Sequence, residues 1–144
     1  MSGRAFIDTA VLVSLFDGRA PERQQAAGAL LQGLIADRVA PVVSTHVLQE
    51  TCAALTGPLG LAAVEALASL QMMEGAGFII EQVDVPLVWR AAIRSADEDI
   101  AFRDALVVET ARTARCGVLY SEGLPDGRAF DGVKVRNPFV TPAA

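Results

Sequence analysis

Residues 4–16 run from an apolar strand into an apolar helix through a single carboxylate. Arg4-Ala5-Phe6-Ile7 reads as a strand that ends at Asp8, and Thr9-Ala10-Val11-Leu12-Val13-Ser14-Leu15-Phe16 reads as a short helix. An acid enclosed between two such segments is not an ordinary solvated charge, since carboxylates are seldom buried without a partner. In open parallel sheets, ligands bind outside the carboxyl ends of the strands. Asp8 stands at such an end, so further carboxylates are expected to meet it there and to hold a divalent metal.

The same alternation continues along the chain. Pro21 opens a helix to about Arg38, with Ala26, Ala27, Leu30, Leu31, Leu34 and Ile35 at helical spacing. Pro41-Val42-Val43-Ser44 is too short for a helix and rich in β-branched residues, so it reads as a second strand. Thr45 to about Thr56 is helical and stops at Gly57-Pro58. Leu59 to Glu74 is a further helix, and Phe78 to Val83 a strand. Asp84 is an N-cap for a helix carrying Val88, Trp89, Ala92, Ile93 and Ala96, which ends at Asp97-Glu98-Asp99. Ala101 to Arg115 is the next helix, and Gly117 to Ser121 a strand ending at Glu122. A loop through Gly123, Pro125, Asp126 and Gly127 leads to a last short strand, Val133-Lys134-Val135. Strands alternating with helices predict a parallel sheet with helices on both faces. Without repeats, low-complexity tracts or a linker, residues 1–144 are expected to form one domain.

Of the 144 residues, 52% are hydrophobic and 20% charged, a balance that supports a packed core and argues against disorder. Apolar runs break off well short of the ~20 residues a membrane helix needs. There is no charged leader followed by an apolar segment and cleavage site, so a cytoplasmic location without membrane association is expected. Cys52 and Cys116 form no CxxC pair and are expected to be buried free thiols. The formal net charge of −5 argues against a surface that coats nucleic acid generally. It leaves room for a local basic rim: Arg90, Arg94, Arg103, Arg112 and Arg115 all lie in the second half. Each suits bidentate phosphate contact, or else lies on a solvated helix face.

Three other acids share Asp8's peculiarity to different degrees. Glu50 has His46, Val47, Ala53 and Ala54 as helical neighbours, so it faces a largely apolar stripe. A capping box does not explain it, because position 47 is Val rather than Ser or Thr. Asp104 shares a face with Val107, Val108 and Ala111, with a helix N-cap as the plain alternative. Glu122 follows the strand ending at Ser121, where an exposed loop acid is equally plausible. Asp97, Glu98, Asp99, Asp126 and Asp131 sit in turn-like contexts and are expected to be solvated. Converging carboxylates repel and take up protons unless a cation joins them. Mg²⁺ and Mn²⁺ select oxygen ligands, can activate water, and can steady charge on a phosphodiester. A bound ion also inverts the local field, letting an acidic protein accept an anionic substrate.

Other chemistries lack their residues. His46 is the one histidine and there is no GxSxG, so a Ser-His-Asp hydrolase is unsupported. There is no Walker-type glycine loop, no GxGxxG and no His/Cys cluster for zinc.

With these residues identified, the chain resembles the PIN-domain family, and within it the VapC-type ribonuclease toxins of bacterial toxin–antitoxin pairs. The likeness rests on Phe6-Ile7-Asp8-Thr9, on Ser44 through Glu50, and on Phe102-Arg103-Asp104-Ala105-Leu106-Val107-Val108 before Ala111. It extends through Leu119-Tyr120-Ser121-Glu122-Gly123-Leu124 and Phe130-Asp131-Gly132-Val133-Lys134-Val135-Arg136-Asn137-Pro138-Phe139. The resemblance implies a three-layer α/β/α sandwich with a central, mainly parallel sheet. It implies an endoribonuclease dependent on Mg²⁺ or Mn²⁺, a homodimer, and a cognate VapB-type antitoxin that inserts a segment near the active site. Asp8, Glu50 and Asp104 match the first three acids of the family site.

On this reading Asp8 and Asp104 are the main metal ligands, and Glu50 orients water or acts as a base. Glu122 assists a second metal or the leaving group, and Thr9 and Ser121 donate hydrogen bonds within the site. Two positions depart from the pattern. Ala10 stands where a polar residue commonly follows the Asp-Thr pair, and Gly123 stands where the branch often has Asp in Ser-Glu-Asp-Leu. The second departure supports a rival expectation: a catalytically weakened PIN-like module that acts through protein binding.

Overall fold

The computed structural model describes residues 3–140. The chain runs β1 (Gly3–Ile7), α1 (Thr9–Ser14), α2 (Pro21–Ala36), β2 (Val39–Ser44), α3 (Thr45–Thr56), α4 (Ala63–Gly75), β3 (Ile79–Glu81), α5 (Val85–Glu98), α6 (Phe102–Thr113), β4 (Val118–Tyr120), β5 (Ala129–Phe130) and β6 (Val133–Arg136). Strand order in the sheet is β3-β2-β1-β4-β6-β5. All pairings are parallel except β5 with β6. The fold is the α/β sandwich with a mainly parallel sheet expected from the alternation of elements.

The connectivity decides where a site can form. From β1 the chain builds outward through β2 to β3, then returns to place β4 on the opposite side of β1. The gap beyond the carboxyl ends of β1 and β4 is therefore a topological switch point, where open sheets bind ligands. Ile7 pairs with Tyr120, and the Asp8 amide donates to the Tyr120 carbonyl at 3.0 Å. Asp8 and Ser121 thus leave their strands side by side.

Phe6, Ile7, Val42, Val43 and Leu119 are fully buried in the sheet. Packed against them are Val11 and Leu12 of α1, Ala27 and Leu34 of α2, Val47 of α3 and Val107, Val108 and Ala111 of α6. Helix α6 packs on β4 and β6, and α5 packs on α6. Seven consecutive residues of α6, Ala105 through Ala111, are buried. A helix buried all round shows no one-sided apolar stripe. Asp104, in its first turn, is thereby fixed to an element with little freedom to shift.

Two features were not anticipated from the sequence. On α5, Trp89 and Ile93 are 63% and 62% exposed, while the face against α6 runs through Leu87, Ala91 and Arg94. The inward face therefore includes a buried arginine, while two of the large apolar side chains face outward. The chain end also contains an additional strand. Phe130-Asp131-Gly132-Val133 is a tight β5–β6 hairpin whose central residues both have positive φ, 49° at Asp131 and 89° at Gly132. Asp-Gly suits such a turn because both positions tolerate that backbone.

Arg94 lies at the centre of an ion-pair network that joins three elements. Its guanidinium donates to Glu109 of α6 at 2.6 Å, to Asp131 of the hairpin at 2.6 Å and to Glu98 one turn along α5. Arg94 and Glu109 are both buried. So Arg94 lies on no solvated face, and Glu98 and Asp131 are paired rather than merely solvated. Burial opposes the charged form of Arg94, but its three carboxylate partners outweigh this and raise its pKa.

Both cysteines are free; Cys116 is buried and Cys52 only partly so. Burial pushes the Cys116 thiol up to about 12, which suppresses the reactive thiolate. Iodoacetamide at pH 8 is expected to label Cys52 and spare Cys116 until urea unfolds the chain. Peptide mapping by mass spectrometry reads the difference, and equal labelling of both in the native state would contradict this packing.

Candidate functional site

Asp8 is the N-cap of α1, with extended backbone angles (φ −77°, ψ 163°). Its side chain is almost fully buried, so its oxygens need partners. The Thr9 amide donates to Oδ1 at 2.7 Å and the Ser121 hydroxyl to Oδ2 at 2.8 Å. Ser121 Oγ in turn accepts from the Gly123 amide at 3.1 Å, which fixes the direction of its own proton. Ser44 caps α3 by accepting from the Val47 amide at 3.0 Å, so the end of β2 turns directly into the helix that carries Glu50. Thr9 Oγ1 donates to Glu50 Oε1 at 2.6 Å and links the ends of β1 and β2.

At the centre lies Arg103. Its Nη2 donates to Asp8 Oδ1 and Glu50 Oε1, each at 2.7 Å, and to Thr9 Oγ1 at 3.1 Å. Nε donates to Glu50 Oε2 at 3.0 Å. Nη1 reaches both Asp8 Oδ2 and Asp104 Oδ1 at 3.4 Å. Asp8, Glu50 and Asp104 are thus gathered around one cationic group, and one positive charge faces three negative ones. His46 adds its Nε2 at 3.5 Å from Glu50 Oε2, one helical turn away.

The electrostatics separate the two partly exposed acids. Burial raises the Asp104 pKa most, Asp8 and Glu50 add to the rise, and Arg103 opposes it without cancelling it. Burial also pushes Glu50 upward, but hydrogen bonds from Arg103 and Thr9 outweigh it, and its pKa falls. Hydrogen bonding to Glu50 and Asp8 raises the pKa of Arg103 against the effect of its own burial. Glu50 is therefore the more firmly ionised of the two acids.

The expected fourth acid does not join them. Glu122 accepts two hydrogen bonds from Arg23 of α2, at 2.7 and 3.0 Å, and lies at the rim. Its side chain leaves the backbone one position too early. A Cβ placed on Gly123 would lie 3.3 Å from Asp104 Oδ1 and 3.8 Å from Ser121 Oγ, so position 123 is the one aimed into the cluster. Arg23 also stacks its guanidinium 3.8 Å from the Phe139 ring. Thr9, Ala10, Arg23, Glu50 and Arg103 line an open cleft of about 590 Å³. In a second cavity of about 360 Å³, the lining residues Arg94, Glu98, Glu109 and Asp131 are already paired with one another.

Sequence reasoning singled out Asp8, Glu50, Asp104, Thr9 and Ser121, and the structure brings these five together. It did not assign central roles to Arg103 or Arg23. Arg103 carried a usable signal, since it directly precedes Asp104 on a helix whose next residues are buried.

Against known families, the PIN domain model matches residues 4–122. The chain belongs to the PIN domain family. No curated protein matches it. Among solved structures this PIN domain is similar to VapC20 of Mycobacterium tuberculosis, a sarcin-ricin loop cleaving toxin. The TM-score is 0.58 at 23% identity, covering 81% of this chain and 88% of that one. It is similar as well to a toxin–antitoxin complex from Klebsiella pneumoniae, with a TM-score of 0.63 at 22% identity, covering 93% and 97% of the two chains. At these identities the likeness establishes the shared fold.

Among the described residues, no three carboxylate, imidazole or thiol groups stand close enough to hold a metal ion as arranged. The donor chemistry nevertheless fits a hard divalent ion. Three carboxylates already converge on one cation; hydroxyls of Thr9 and Ser121 stand beside them, His46 is the one imidazole at the edge, and no thiol joins them. Their present spacing is set by a guanidinium.

Proposed function

We propose that this PIN domain is a metal-dependent endoribonuclease and the toxin of a toxin–antitoxin pair. The observation that carries the reading is the gathering of Asp8, Glu50 and Asp104 about one cation at the switch point of the sheet. The neighbouring VapC20, a sarcin-ricin loop cleaving toxin, supports the substrate class. The Klebsiella toxin–antitoxin complex supports a VapB-type antitoxin partner. A homodimer, a single domain over residues 1–144 and a cytoplasmic location complete the reading. Among the described residues no helix is long and apolar enough to cross a membrane.

Asp8 and Asp104 would hold Mg²⁺ or Mn²⁺. Bound there, the ion supplies activation of water and stabilisation of the charge that develops on the phosphodiester. Glu50, ionised at neutral pH, accepts a proton from the attacking water, and the Thr9 hydroxyl fixes the orientation of its carboxylate. Ser121 holds Asp8 in place in the same way. Arg23 lies at the mouth, where it supplies positive charge for an RNA phosphate, and Glu122 positions Arg23. Among the described residues, Arg23 and Arg103 are the two cationic side chains that line this cleft.

Incubation of the purified chain with RNA and Mn²⁺ or Mg²⁺ is expected to give internal cleavage that EDTA abolishes. Cleavage surviving unchanged in EDTA, and in Asp8→Asn and Asp104→Asn, would refute the assignment.

Gly123 favours the second reading, a weakened module acting through protein binding, because position 123 faces Asp104 and carries no acid. Gly123→Asp separates the two. If three acids suffice, restoring the fourth is expected to change cleavage by less than about threefold, under 1 kcal/mol of barrier. A rise of tenfold or more would instead mark an eroded site.

A further inference from the structure

Arg103 has no part in the proposed cleavage chemistry, yet it makes more polar contacts in the cleft than any other side chain there. Its five nitrogen-borne protons are divided among Asp8, Glu50, Asp104 and Thr9. Nη1 stands 3.4 Å from both Asp8 Oδ2 and Asp104 Oδ1, so it fills the space between the two carboxylates that a shared ion requires. A guanidinium stays charged at any working pH. A divalent cation brought between the same oxygens would meet it as a like charge at close range. Both cations cannot be held at once, and the guanidinium is the one tethered to the chain. It is also only half-buried and opens onto the cleft, so solvent is available to receive it.

We propose that Arg103 is a built-in competitor for the divalent metal, which enters only as the guanidinium swings out of the three-acid cluster. The inference rests on the assignment of Asp8 and Asp104 as metal-holding residues. Its physical content is negative coupling between two cations for one anionic site. The apparent metal affinity of the native chain is then the intrinsic affinity reduced by the free energy that holds Arg103 in place. No antitoxin is needed for this restraint, since it lies within the toxin chain itself.

Isothermal titration of Mn²⁺ into the EDTA-treated full-length protein tests this without reference to cleavage. Arg103→Met keeps the aliphatic bulk and removes the charge, and it is expected to bind Mn²⁺ about 10–100-fold more tightly than the native chain. Arg103→Lys, with one compact ammonium, should fall between them. Mn²⁺ binding should be lost in the double variant Asp8→Asn/Arg103→Met. Equal or weaker binding by Arg103→Met, with Asp8 still required, overturns the competition and leaves the nuclease reading standing. Binding indifferent to Asp8, or none to Arg103→Met at millimolar Mn²⁺, overturns the nuclease reading itself. Should uncompensated acids leave Arg103→Met unfolded in EDTA, its melting temperature becomes the readout. A larger Mn²⁺-induced rise than in the native chain is expected, and an equal or smaller one overturns the proposal.

Discussion

Asp8→Asn is expected to lower metal-dependent RNA cleavage by on the order of 10²–10³-fold, the scale seen when one preorganised charge-stabilising group is removed. Asp8 is buried and held by donors from Thr9, Ser121 and Arg103. All three require an acceptor. An amide has one acceptor oxygen and one donor nitrogen, so it cannot accept from both Arg103 Nη1 and Nη2 on separate oxygens as the carboxylate does. It also removes the negative charge that attracts the ion. The fold should survive, because Asn caps helices about as well as Asp and the strand before it is anchored by Phe6 and Ile7. Single-turnover cleavage and a thermal melt measured on the same preparation separate the two effects. A loss of only a few fold in a normally folded variant would remove Asp8 from the centre of the mechanism.

The largest expected effect on stability lies elsewhere. Arg94→Met is expected to cost about 3 kcal/mol, the lower part of the range for breaking a buried ion pair. Glu109 would be left buried after losing its 2.6 Å partner. Arg112 at 3.2 Å and Arg90 at 3.8 Å remain as partial compensation, which places the cost toward the low end. Asp131 and Glu98 would lose their clamp too, loosening the β5–β6 hairpin from α5. For a chain of this size, 3 kcal/mol corresponds to a fall of roughly 10 °C in melting temperature. Arg112→Met, whose guanidinium is itself exposed and which leaves the 2.6 Å bond from Arg94 to Glu109 intact, should cost under about 1 kcal/mol. Similar melts for the two variants would show that the buried network contributes little. Cleavage by Arg94→Met below its melting point should stay near native, since its network does not touch the three-acid cleft.

The sheet and its polarity were legible because hydrophobic runs and breakers alternate cleanly from Arg4 to Ser121. The acids were legible because Asp8 at a strand end, and Glu50 and Asp104 on helices, each interrupt a stripe that packing would otherwise fill with apolar side chains. What escaped depended on partners distant in the chain. On α5, Trp89 and Ile93 are apolar yet exposed. The inward position belongs instead to Arg94, whose burial makes sense only with Glu109 and Asp131 in view. The β5–β6 hairpin escaped because Ala129-Phe130 is too short for a periodic signal, though Asp131-Gly132 was a usable turn marker. The one-residue offset between Glu122 and the acid position at Gly123 was legible in the motif, but the pairing of Glu122 with Arg23, 99 positions away, was not. Arg103 was hidden in plain sight: an arginine beside an acid reads as a surface pair until three carboxylates are seen to share it.

The wide separation along the chain of the parts of the cleft bears on when activity can arise. Arg103 and Asp8 meet across 95 positions, and Glu50 reaches Arg103 across 53. Neither the first strand nor the first half of the polypeptide contains a working centre. On the ribosome, the growing protein lacks the assembled cluster until α6 has emerged and folded back onto a sheet already begun. For the proposed nuclease, each round of synthesis would thus include a grace period, set by topology alone, before a partner is needed to restrain it.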